Sequence, residues 1–218
     1  MIQEMGISTI VICCLCLASL SAANTLSREV EKGTMMMLLS KPVVRSSVVL
    51  GKFFGILGAV SLLFTTMGVI LTIALCVRES LDHHTGFLSS FTQIGSSTVF
   101  QLVFSFVPVA IMCAVATAGS VWLGMIPNLC CCIVIYIVGN LASSFQAMFP
   151  STIIWSSWYL IPIFAFFPNL EEFSAIGMGG KSEAVDFSYV TALLIYAVLY
   201  IVFVITLTIK FFDRKECR

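Results

Sequence analysis

The chain is short of charge. Only 10% of its 218 residues are Asp, Glu, Lys or Arg, against about 25% in a soluble domain. Hydrophobic residues make up 59%, and the mean hydropathy is +1.06. That deficit excludes a soluble globular fold, whose surface needs ions to stay in water. Net charge is missing as well, because 11 basic and 11 acidic residues cancel. The balance says nothing about partners, and the distribution of charge along the chain says more. The long apolar spans contain almost no ionisable residue at depth, Lys52 lying near the end of one. Proton- or ion-coupled carriers usually need such groups inside the membrane, so any transport must draw its energy elsewhere. The N-terminus carries one charge, Glu4, and no basic run. A signal peptide needs that run, and residues 5–23 read as a membrane helix instead.

Cysteine is plentiful at nine, but eight (Cys13, Cys14, Cys16, Cys76, Cys113, Cys130, Cys131, Cys132) lie in or beside apolar spans, and only Cys217 is in a polar tail. Buried free cysteine behaves as a small hydrophobe. The run at 130–132 lacks the flanking turns and polar outer shell of a metal site, so neither a metal nor a disulfide role is expected.

A helix needs about 20 mainly apolar residues to cross the hydrocarbon core. Such spans fall at about 5–23, 48–77, 97–118, 121–148 and 189–209, with a tight turn expected at Gly119-Ser120. A further apolar block, 153–167, is shorter and carries Pro162 within it and Pro168 at its end. The basic residues set the orientation. Arg28, Lys32, Lys41, Arg45 and Lys52 follow the first span, and Lys210, Arg214, Lys215 and Arg218 form the tail; Arg78 and Lys181 are the remainder. Nine against two places the first loop and the C-terminus in the cytoplasm. Residues 78–96 and 169–188 are then outside. Parity leaves no crossing for the block at 150–168, which reads as a re-entrant hairpin entering and leaving on the outer face. Trp155, Trp158 and Tyr159 within it suit an interfacial aromatic belt.

The loop after the first span holds the densest information. Asn24 or Thr25 can cap a helix there, and Pro42 disfavours helical geometry at Lys41. Leu26, Val30, Met37 and Leu38 recur at helical intervals opposite Arg28, Glu29, Glu31 and Lys32, with Gly33 a kink or break. A basic amphipathic helix on anionic headgroups is the plain reading. The alternating Glu29 and Glu31 suit a protein partner equally well.

Ser27-Arg-Glu-Val-Glu-Lys-Gly-Thr34, Leu38-Leu-Ser-Lys-Pro-Val-Val-Arg45 and Leu50-Gly-Lys-Phe-Phe-Gly55 together resemble the signature of type-2 ABC exporter permeases. Pro168-Asn-Leu-Glu-Glu-Phe173 and Phe211-Phe-Asp-Arg-Lys215 resemble that family's outer loop and tail. The likeness implies one all-α, polytopic permease domain over 1–218, with five transmembrane helices, a re-entrant outer hairpin at 150–168, an outer loop at 169–188 and a cytoplasmic coupling helix within 24–47. It implies ATPase coupling through Arg28, Glu29, Glu31, Lys32, Gly33, Thr34, Leu38, Pro42 and Arg45. The partners it implies are a cytosolic ABC ATPase, a second permease copy (identical or related) and the lipid bilayer of the cell's inner membrane, with no nucleic acid. ATP and Mg would be held by the ATPase, leaving this chain with no cofactor and no catalysis. Family permeases cross six times, so the first helix of that pattern is expected to be missing here.

Three features attract other readings. Gly177-Met-Gly-Gly-Lys-Ser182 nearly matches a P-loop, but the first glycine of the motif falls on Ala175 and the loop is placed outside. Asp82-His83-His84 reads as a solvated loop, since adjacent histidines point apart. Gly51, Gly55 and Gly58 share a helix face and read as close packing against another span or a second copy. An ATP-independent transporter or channel, or a truncated non-transporting assembly factor, remains the alternative to an ATP-driven permease.

Overall fold

The computed structural model describes residues 2–31, 45–83, 95–148, 170, 173 and 187–216. Everything regular among them is helical: α1 (Ile2–Glu31), α2 (Arg45–His83), α3 (Ser96–Ser120), α4 (Met125–Met148) and α5 (Phe187–Glu216). Four contain apolar stretches long enough to cross a bilayer: Ile2–Thr25, Val49–Leu81, Ser97–Ser120 and Ser188–Lys210. The described apolar part of α4 is shorter, Met125–Leu141. The whole of α4, 24 residues, is about 36 Å long at 1.5 Å per residue. The chain is an all-α polytopic membrane protein.

α3 is the central element. It packs against all four other helices, and 61% of its apolar window is buried, against 22–44% in the other spans. α1 gives it a face of small side chains four residues apart, Cys14, Ala18 and Ala22, all essentially inaccessible. Without a hydrophobic drive between helices in lipid, such residues gain contact by letting backbones approach. α2 buries Phe53, Ile56, Val60 and Phe64 at helical spacing and turns its other face outward.

Specific contacts fix the directions. Lys52 Nζ donates to Thr25 O at 3.5 Å, and a Cβ on Gly6 would touch Leu71, so α1 and α2 are antiparallel. Gln3 Nε2 donates to Gln101 Oε1 at 2.8 Å, while Asn128 reaches both Ser19 and Ala116, so α1 and α3 are parallel. One end of the bundle thus gathers the end of α1, the start of α2 and the turn between α3 and α4, and Lys52 belongs to that end.

Two details differ from expectation. Asn24 and Thr25 do not start a new helix: α1 runs through them to Glu31. The Thr25 hydroxyl donates backwards, to Ser21 O at 2.7 Å and Ala22 O at 3.1 Å, instead of capping forward. With Gly33 the first glycine after Gly6, nothing in between interrupts the helix. The tight turn also lies further on. α3 continues through Gly119 and Ser120, and residues 121–124 turn, with Trp122 N donating to Gly119 O at 3.0 Å. Within this chain, an added Cβ on Gly51, Gly55 or Gly58 would meet no described residue within 4 Å, so of the two expected neighbours the face meets no other described span. Those glycines lie away from α2's buried face, and close approach occurs instead at Gly6 and at Gly68, where Leu102 stands opposite. Gly58→Ala should therefore be neutral or stabilising by up to about 1 kcal/mol, the helix-propensity difference. Thermal unfolding of the purified variant checks this; a large loss would show that the face is packed.

The segment expected to form a re-entrant hairpin, the P-loop-like segment, His84 and Cys217 lie outside the described residues. Of the outer loop, Leu170 and Phe173 are described, both fully buried, and Leu170 N donates to Gly139 O on α4 at 3.4 Å.

Candidate functional site

Four of the nine expected coupling residues fall in the described helices, at the end of α1 and the start of α2. Arg28, Glu29 and Glu31 form the last turns of α1, and Arg45 opens α2. Lys32, Gly33, Thr34, Leu38 and Pro42 lie outside the described residues. The two helix ends are held together below this segment by the Lys52–Thr25 hydrogen bond. Because α1 is unbroken, Glu31 stands on the same rod as Ser19, about 18 Å away at 1.5 Å per residue.

At the level of Ser19 the bundle holds an element that the sequence reading passed over. Asn128, one turn into α4, is wholly buried. Its Nδ2 donates to Ser19 O of α1 at 3.4 Å and to Ala116 O of α3 at 3.3 Å. Its Oδ1 has no hydrogen-bond partner among the described residues and faces Gly119, where any Cβ would come closer than 3.0 Å. Both neighbours of the NH2 group are carbonyls, so the amide cannot be turned round without setting oxygen against oxygen. An amide near the start of an apolar span, one turn past a glycine-bounded loop, was the available signal.

Two apolar cavities open beside the central helix. One, of about 500 Å3, lies between α3, α4 and α5 at the Asn128 end and is walled by Trp122, Ile135, Tyr196 and Phe203 among others. The second, of about 790 Å3, lies between α2 and α3 nearer the other end, with Phe64, Ile73, Leu102 and Phe106 in its wall. Among the described residues, neither is lined by a charged one. Among the described residues no cluster of three or more His, Cys, Asp or Glu side chains is arranged to hold a metal.

A family model described as "ABC-2 family transporter protein" matches residues 2–217. The chain belongs to the ABC-2 transporter family. No curated protein and no solved structure matches it. As an ABC-2 protein it is a multi-pass membrane component, and the match spans both the charged segment after α1 and the terminal helix α5.

Proposed function

We propose that this ABC-2 chain is the permease subunit of an ATP-driven exporter, forming the translocation path and docking a separate cytosolic ATPase through residues 28–45. The observation that carries the reading is the unbroken α1. It passes from the core of the bundle to Glu31 without a hinge, so a push on Arg28, Glu29 and Glu31 reaches the membrane-embedded part directly. The end where this occurs carries the excess of basic residues, which fits a cytoplasmic placement with the C-terminus on the same side. ATP and Mg would be bound by the ATPase. A second copy of the chain, or a related one, would complete the path.

The absence of charged residues from both cavity walls supports an apolar or amphipathic cargo and an external energy source. A tagged pull-down from native membranes in mild detergent, with bound proteins identified by mass spectrometry, tests the reading. Recovery of an ABC ATPase supports it. Recovery of none, together with ATP-independent flux from the purified protein, would favour a channel or secondary carrier.

A further inference from the structure

Asn128 stands out among the groups that the proposed function does not use. Leucine would fill a similar volume in this apolar setting and leave no acceptor stranded, whereas the native amide keeps Oδ1 buried without a donor. Such a group is retained where its donors fix how elements sit against one another. Here the two donors go to carbonyls on two different helices, while the side chain itself belongs to a third. Gly119 is the counterpart that lets this happen, since its missing side chain is what leaves room for Oδ1.

We propose that Asn128 is a positioning residue that clamps the ends of α1, α3 and α4 into one body, so that displacement of residues 28–31 moves all three spans together. The clamp follows from the hydrogen bonds. The source of the displacement rests on the docking reading above. Ser19 accepts from Asn128 about two and a half helical turns from Arg28, with no break between them. Lys52 adds the start of α2 to the same end through Thr25 O. A movement that enters at the last turns of α1 therefore has a path into α4 and into the central helix, which also border the 500 Å3 cavity.

Hydrogen exchange read by mass spectrometry tests this in two arms on the full chain in nanodiscs. In the chain alone, residues 16–25, 114–120 and 125–132 should open as one cooperative unit, and Asn128→Ala should separate them. Gly119→Ala, which wedges the amide from the other side, should do the same if Asn128→Ala does not fold. Independent opening of the three segments in the wild type overturns the clamp. In the second arm the co-purified ATPase is supplied with ATP. The wild type should change exchange in α1 and in 114–132 together. Asn128→Ala should keep the α1 response and ATPase binding while the 114–132 response falls roughly fivefold or more, the lower end of ordinary coupling energies. A purely structural role would not split the two responses, and retention of both overturns the proposal. If no ATPase co-purifies, the docking reading fails and the first arm alone decides the clamp.

Discussion

Gly119→Ala lowers the stability of the bundle, and Asn128→Ala in the same chain restores part of the loss. The alanine Cβ would come within 3.0 Å of Asn128 Oδ1, and Asn128 is fully enclosed, with its NH2 committed to Ser19 O and Ala116 O. Neither partner can step aside, because both belong to backbones in the core of the bundle. Overpacking of this kind costs about 1–3 kcal/mol. Removing the amide vacates the space the new methyl needs, so the double variant should be more stable than the sum of the single losses. A thermal-unfolding cycle of wild type, both single variants and the double variant reads the coupling. Additive losses would mean that Gly119 and Asn128 do not meet. By contrast, Gly6→Ala should cost less, because the atoms it would meet are the flexible end of Leu71.

Glu31→Lys abolishes capture of the ATPase while the permease still inserts and folds. Glu31 ends the described part of α1, more than a turn beyond Ile2–Thr25, the part long and apolar enough to span the membrane. Reversal there changes the charge of the proposed docking segment beyond the apolar span. At an interface, replacing attraction by repulsion should weaken binding at least tenfold, about 1.4 kcal/mol. Recovery of the ATPase in pull-downs, normalised to permease in the membrane, measures the effect. Glu31→Gln should give an intermediate loss, and rising salt should narrow the gap between variants. Unchanged recovery with Glu31→Lys would remove Glu31 from the docking surface.

The membrane class, the helical architecture and the family were legible because they rest on one-dimensional signals. Low charge, apolar runs of spanning length and the motif from Ser27 to Gly55 survive without knowledge of contacts. The helices start and stop near the expected places, but not where short-range capping rules put them. Thr25 looks like a forward cap, yet in a continuing helix its hydroxyl donates to Ser21 and Ala22 instead. Gly119 looks like a turn, yet it lies inside α3 because Asn128 packs against it. In both cases tertiary or helical context overrode a local preference that is worth no more than about a kilocalorie or two. The Gly51-Gly55-Gly58 spacing likewise left open which neighbour the face meets, another span or a second copy. Spacing identifies a face, whereas which face turns inward on α2 was decided by Phe53, Ile56, Val60 and Phe64. Asn128 was missed because its meaning depends on carbonyls 12 and 109 residues away, a relation no local pattern carries.

The most direct test is site-specific photo-crosslinking in native membranes, with a photoreactive residue at position 31 and, separately, at Leu81 near the opposite end of the bundle. The account predicts an adduct with an ABC ATPase from position 31 and none from position 81. An ATPase adduct absent from position 31, or equally strong from position 81, would contradict the placement of the docking site at the end of α1.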